Sequence, residues 1–375
     1  METVYEDNKH CCGCKSCLRI CPTASIVMVE DQYGFEYPSI DQNTCINCGR
    51  CKSVCPMVNV SGKPVESSYA VVLDDKAIDN SASGGAFYAL AKAFLEMGGV
   101  VFGCAFDESL MPKHIQINDA SELYKLQGSK YVQSDMDCHE EILGCLKSGK
   151  KVLFSGTPCQ VAAIKSFVPV KFDELFTIEI VCHGVPNRAL WKDYVDLLEK
   201  KHNGKVKKFI FRAKDAKKRF CYKYSVLKKD KETEYIFPSV LSYYYYHFLK
   251  GNTYRRSCYY CPFAQPSRQA DITICDYWGY QGSRFKDRND ISAVMIQGEK
   301  GIKLFELGRE YLLVEETVFD DVAENNEQLK TPSSFSRYDE EFFKTWKSKG
   351  SLGLEKKHKS EHWKAYMLHK LGMLK

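Results

Sequence analysis

The chain has 375 residues, a formal net charge of +5, 44% hydrophobic and 27% charged residues. That balance excludes wholesale disorder, collagen-like repeats and coiled coils. The longest apolar candidate, Ala86–Phe106, is interrupted by Lys92 and Glu96, well short of the roughly 18 unbroken apolar residues of a membrane span. The opening METVYEDNKH has no basic stretch followed by an apolar run, which predicts no secretory signal and a cytoplasmic protein. Nine lysines against four glutamates in Glu340–Lys375 account for the whole positive excess. The body is therefore near neutral, and no nucleic-acid-binding surface is expected.

In chain order, nine of the 18 cysteines fall within the first 57 residues. The polar stretch Ser61–Ser68 (SGKPVESS) then reads as a linker. Beyond it strands and helices alternate. Tyr69–Leu73, Val100–Phe106, Lys151–Ser155 and Phe176–Cys182 read as strands. Ala86–Met97, Asp135–Ser148, Gln160–Phe167 and Arg188–Lys201 carry helical spacing. Such alternation predicts α/β layers on a largely parallel sheet. After about Lys205 come β-like runs, the tyrosine run Tyr243–Tyr246, read as packing, and a second cysteine cluster. The basic tail reads as helical, its apolar face covering the core.

Eighteen thiols with nothing directing export point to metal rather than disulfides. Cys11, Cys14, Cys17, Cys21 and Pro22 spell C-x2-C-x2-C-x3-C-P, and Cys45, Cys48, Cys51, Cys55 and Pro56 repeat it. Three closely spaced thiolates wrap one face of an iron–sulfur cube, and the fourth cysteine of each run ligates the other cluster. The expected sets are Cys11, Cys14, Cys17 and Cys55 for one 4Fe–4S cluster, and Cys45, Cys48, Cys51 and Cys21 for the second. A pair of zinc sites is the competing reading, but zinc modules do not repeat this four-cysteine comb with its proline. Cys12 is off-pattern, a spare thiol. Residues 8–57 resemble the bacterial two-cluster ferredoxins.

Four small-residue loops follow: Ser81–Gly85 before a helix, Gly128–Ser134, Ser155–Gln160 after a buried strand, and Cys182–Pro186 after the next. Such loops let backbone N–H groups approach phosphate, although the first is also a good helix cap, and strand carboxyl ends are where ligands bind in parallel sheets. Cys258-x2-Cys261 is a metal hairpin by spacing, open to a zinc knuckle or idle thiols. With Cys159 and Cys182 it could hold a third 4Fe–4S cluster, with Cys275 a competing ligand. Cys104, Cys138, Cys145 and Cys221 read as buried or idle.

The motifs SGG before a helix, GSKYVQS, LFSGTPCQ, VCHGVP and CYYCPF…ADIT…DYWG occur in this order between Tyr69 and Tyr280. Together they resemble the coenzyme F420 hydrogenase/dehydrogenase beta-subunit family. The expected organisation is an α+β ferredoxin-like cluster domain (1–60), the linker 61–68, an α/β flavin-binding domain with mixed or parallel sheet (69–320, its two parts 69–150 and 151–320), which the resemblance implies, and a basic helical tail (321–375). The resemblance further implies FAD held by Ser83, Gly84, Gly85, Gly128, Ser129, Lys130, Tyr131, Gln133, Ser134, Gly156, Thr157, Pro158 and Gln160. Lys130 and His183 are the expected orienting or protonating groups. Cys275 stands where the family pattern has glycine before the aspartate of D-x-W-G. The expected activity passes electrons from the clusters to FAD and on, as hydride, to a small organic substrate, the deazaflavin coenzyme F420 or another acceptor. Ferredoxin or flavodoxin is the expected redox partner, in an anaerobic setting. Two competing readings are an electron-transfer subunit of a larger complex with no substrate of its own, and a redox sensor.

Overall fold

The structure is a computed structural model, described here for residues 4–58, 60–215, 218–335 and 339–371. The ends of the expected cluster domain and tail, 1–3 and 372–375, lie outside the described residues.

The cysteine-rich front end is built on a repeat. Helix α1 (Ser16–Ile20), strands β1 (Ile26–Glu30) and β2 (Glu36–Ile40), and helix α2 (Arg50–Ser53) form it, with β1 and β2 antiparallel. Each helix is preceded by the same turn. Gly13 (φ 70°) and Lys15 (φ 65°) flank Cys14, as Asn47 (φ 52°) and Gly49 (φ 73°) flank Cys48. Only two of these four left-handed positions are glycine, so the turn is imposed by the loop rather than by residue choice alone.

The body begins with β3 (Ser67–Leu73) and α3 (Ala86–Glu96), then β4 (Val100–Phe106), β5 (Pro112–Ile117), α4 (His139–Lys147), β6 (Val152–Gly156), α5 (Pro158–Phe167), β7 (Leu175–Ile180) and α6 (Arg188–His202). Next come β8 (Lys205–Asp215), β9 (Lys218–Lys228), β10 (Lys231–Pro238), α7 (Tyr243–Leu249), β11 (Ile272–Asp276), β12 (Ser292–Ile296), α8 (Gly298–Gly308), β13 (Leu312–Thr317) and α9 (Phe319–Glu324). The tail forms α10 (Asp339–Glu361), kinked at Gly350, and α11 (Trp363–Lys370). No helix among the described residues is long and apolar enough to cross a membrane.

Eight strands make one sheet in the order β13-β3-β12-β11-β7-β6-β4-β5. Its centre, β11-β7-β6-β4, is parallel, while β12, β3 and β13 on one side and β5 on the other are added by antiparallel pairings. The sheet is thus mixed rather than largely parallel. Strand β6 is buried along its whole length because helices cover both faces. Val101, Leu153, Ile178 and Ile272 meet Ala89, Leu90 and Phe94 of α3 and Leu304 and Phe305 of α8. On the opposite face Phe102 and Phe154 meet Ile142 of α4 and Ile164 of α5.

The region that blurs after Lys205 is a three-stranded antiparallel sheet, β10-β9-β8. It shares one aromatic core with Trp191 and Tyr194 of α6, Tyr243, Tyr244 and Tyr245 of α7, and Phe342, Phe343 and Trp346 of α10. Phe35 and Tyr37 of the cysteine-rich domain sit in that same core. Helix α10 therefore packs as core, whereas α11 buries none of its residues and leaves Trp363, Met367 and Leu368 exposed. The expected linker is not slack either: Lys63 N–H donates to the Arg268 carbonyl at 2.9 Å and Arg268 N–H returns to Lys63 at 2.8 Å.

Candidate redox site

Residues far apart in sequence bring twelve thiols into three groups. Cys17 is buried and its thiol is pushed up, first by desolvation and then by Cys14, Cys11 and Cys55. Cys55 is pushed up to about 11 by burial and, beyond its backbone partner, by Cys14 and Cys11. These four thiols, with Cys12, line a small cavity. Cys51 is raised by burial and by Cys48 and Cys21, while Cys21 and Cys45 pack on the apolar cluster that holds Cys51. The fourth cysteine of each run thus sits with the other run. The reason is the turn repeat: each helix carries its last cysteine away from its own loop.

The third group is assembled from three loops. Cys182 follows β7, Cys159 lies in the first turn of α5, and Cys258 and Cys261 come from the segment after α7. Burial pushes Cys258 up to about 12, with Cys261 and Cys159 adding to it. Burial and Cys159 do the same to Cys261, and Cys182 is raised by burial and by Cys258, Cys159 and Cys261. These four line a cavity of about 50 Å³ together with Cys12 and Cys14. Among the described residues, no group of three or more His, Cys, Asp or Glu side chains is placed to hold a metal ion. Buried thiols crowded in fours resist ionisation, because burial and their neighbours disfavour the thiolate.

Cys12, expected to be spare, lies between two of the groups. Its thiol lies beside those of Cys14 and Cys159, and the Cys12 contact is the main cause that draws Cys14 down to about 6. The first and third groups therefore share a wall. Gln133 Nε2 donates to the Cys12 carbonyl at 3.2 Å, and Lys15 Nζ meets Asp135 at 2.7 Å, which seats the cysteine-rich domain against the body.

Beyond the third group, at the carboxyl ends of the parallel strands, a cavity of about 260 Å³ opens. Its walls include Ser83, Gly85, Gly128, Ser129, Lys130, Tyr131, Ser134, Gly156, Thr157 and Gln160. Thr157, Gln160, Cys182, His183, Gly184 and Val185 line both this cavity and the third thiol group's. His183, lowered by burial, is part of that shared wall.

Three expected cofactor residues stand elsewhere. A Cβ on Gly84 would meet Val71 O and Ser292 N at 2.5 Å, so that glycine serves close packing against β3 and β12. Gln133 and Pro158 line the thiol cavity instead. Several others have structural duties. Thr157 and Gln160 form a capping box on α5, and Gln160 Nε2 donates to Ser134 Oγ at 2.8 Å. Ser83 Oγ donates to Ile291 O at 2.7 Å.

Lys130 corrects the sequence reading most clearly. Its Nζ donates to the carbonyls of Lys125, Leu126, Gln127 and Gly128 at 2.8–3.2 Å. The ammonium ties its own loop together rather than pointing at a reacting atom. Burial nonetheless lowers it to about 8, with the Cys104 thiol opposing. Cys275, weighed as a third-group ligand, lies on β11 in the wall of the larger cavity and does not line the thiol cavity.

Residues not foreseen also line the larger cavity. Arg212 of β8 forms an ion pair with Asp276 and lies over the Trp278 ring at 5.3 Å. Cys104 lines the same cavity. The one sequence signal was the lone arginine in the otherwise apolar FIFRA run, whose partner on β11 no local pattern could supply.

Residues 149–321 match the family model for the C-terminal part of the coenzyme F420 hydrogenase/dehydrogenase beta chain. Two 4Fe–4S dicluster domain families match residues 10–59 and 37–99. Comparison with curated proteins finds no match. Among solved structures, a chain of the F420-reducing NiFe hydrogenase complex from Methanosarcina barkeri is similar at 18% identity and a TM-score of 0.46, over 72% of this chain and 90% of that one. The protein thus carries a 4Fe–4S dicluster domain ahead of a segment that belongs to the coenzyme F420 hydrogenase/dehydrogenase beta-subunit family.

Proposed function

We propose that the protein is an iron–sulfur flavoprotein oxidoreductase. It carries electrons from the dicluster domain through a third cluster to FAD, and thence to a small organic substrate such as a deazaflavin. The observation that carries this reading is the unbroken series of shared walls. The Cys11–Cys17 loop abuts the third thiol group through Cys12, and that group shares Thr157, Gln160 and Cys182–Val185 with the larger cavity.

The cavity's chemistry suits a flavin dinucleotide. Among the described residues the N-terminus of α3 has no side-chain cap, and its first turn lines the cavity, where the helix dipole favours an anion. The apolar share of the wall, from Phe87 to Phe248 and Ile274, offers a surface for a flat ring. Bound there, FAD would supply the conversion between single electrons and a two-electron hydride. In this reading the α3 terminus faces the phosphate, the Arg212–Asp276 pair shapes the wall, the loop that Lys130 ties holds the ring's edge, and His183 excludes water between cavity and thiols. Cys159, Cys182, Cys258 and Cys261 ligate the third cluster. The external electron donor is a one-electron carrier such as ferredoxin or flavodoxin.

The test is the cofactor content of anaerobically purified protein. About twelve irons and one FAD per chain is the expected result. About eight irons with one FAD would remove the third cluster, and eight irons with no flavin after FAD is added would overturn the flavoprotein reading. Reduction of a deazaflavin or nicotinamide by the dithionite-reduced protein alone then separates an enzyme from a subunit that only relays electrons.

A further inference from the structure

Arg255 is 1% exposed, yet among the described residues no carboxylate pairs with it. The other fully buried arginine, Arg268, has Glu179 at 2.6 Å. Arg255 instead faces the first cysteine loop. Its Nε donates to the Cys11 carbonyl at 2.7 Å, Nη2 to the Glu36 carbonyl at 2.8 Å, and Nη1 to Gln133 Oε1 at 3.2 Å. Nη2 also reaches Cys11 Sγ at 3.6 Å. The guanidinium lies over Tyr37 at 4.1 Å. The loop is shaped around it: a Cβ on Gly13 would fall 2.8 Å from Arg255 Nη1 and 2.5 Å from Gln133 Nε2.

A guanidinium this buried carries a desolvation penalty that neutral carbonyls and the rings of Tyr37 and Phe35 only partly offset. What remains beside it is sulfur. A cube ligated by four thiolates has net negative charge, which grows by one electron on reduction, and nearby charge and hydrogen bonds to sulfur set its potential. The backbone of Arg255 belongs to the third thiol group at the same time: its N–H donates to Val185 O and its carbonyl accepts from Cys258 N–H, both at 2.9 Å. The cation is thus anchored in one group and aimed at the other.

We infer that Arg255 is the counter-charge of the cluster held by Cys11, Cys14, Cys17 and Cys55. It favours that cluster's reduced form and raises its reduction potential above that of the other dicluster site, where no such cation is buried among the described residues. Arg255 is a positioning and tuning residue, not a ligand. This inference rests on the cluster reading above.

The test is a redox titration of the holoprotein followed by electron paramagnetic resonance, with iron measured on each variant. Arg255→Gln is expected to keep its iron and shift one cluster's midpoint to more negative potential while the others stay put. Arg255→Lys, which keeps the charge, is expected to lie nearer the wild type. Should Arg255→Gln shed iron, Gln133→Glu decides, because it neutralises the guanidinium in place and is expected to shift the same midpoint in the same direction. Iron-replete variants with unmoved midpoints, or with all midpoints moved alike, would overturn the inference. A wild type without iron on the front-end cysteines would sink the cluster reading, and this inference with it.

Discussion

Serine at Cys258 or Cys182 is expected to lower the iron content from about twelve to about eight per chain, leaving the dicluster domain loaded. The effect is large because the thiol group has no redundancy of position. Cys182 ends the β7 loop and Cys258 belongs to a separate segment after α7, yet Cys258 acts on Cys182 through the shared space. A serine oxygen is shorter and a poorer thiolate substitute, and Cys12, though it lines the same cavity, lies on the side of Cys14 and Cys159. The same variant discriminates the electron path. Electrons given to the dicluster domain would then reach the flavin slowly or not at all, while flavin content stays at one per chain. Full iron in Cys258→Ser would show that the group holds no cluster.

Removing the carboxylate of Glu179 is expected to be the most destabilising single change in the body. Glu179 sits in β7, three residues before Cys182, and is fully buried. It accepts from Arg268 Nε at 2.6 Å, from the N–H groups of Gln269 and Ala270 at 3.0 and 3.2 Å, and from Thr273 Oγ1 at 3.0 Å. Arg268 in turn donates to the carbonyls of Phe263 and Gln265, just past Cys261. The pair therefore clamps the strand that delivers Cys182 to the segment that delivers Cys261. Glu179→Ala strands a buried guanidinium and several N–H donors, a cost of about 3–5 kcal/mol. Urea unfolding of the anaerobic holoprotein should show a midpoint well below the wild type, with iron lost early from the third group. Glu179→Gln, which keeps an acceptor oxygen, should lie between the two. A loss below about 1 kcal/mol would mean the pair is ornamental.

How far the sequence was legible depended on the range of the interactions. The dicluster runs are local patterns whose chemistry is written in spacing, and the exchange of Cys21 and Cys55 follows from the repeat alone. Strands such as Val100–Phe106 and helices such as Ala86–Glu96 emerged near their observed bounds because burial on both faces and 3.6-residue spacing are local signals. The antiparallel flanks of the sheet did not, since nothing local tells β3 that β12 and β13 will pair with it in reverse. Site residues divided the same way. Loops chosen for smallness do meet at one cavity, but smallness has two causes. Gly84 is small to clear backbone, and Lys130 is basic to satisfy four carbonyls of its own loop. Arg212, Asp276 and Arg255 were missed because their meaning lies in partners 64, 122 and 244 residues away.

The seating of the cysteine-rich domain has a kinetic meaning. Phe35 and Tyr37 are buried in the body's aromatic core, Lys15 is paired with Asp135, and the strap at Lys63 is stitched to Arg268 on both sides. A domain held at so many points cannot swing between a loading and an unloading pose, as tethered carrier domains do. The distance an electron must tunnel inside the chain is therefore fixed at folding. Thickening the solvent with glycerol or sucrose should slow only the encounter with an outside carrier and leave internal transfer untouched. The molecule behaves as a soldered conductor rather than a shuttle on a string.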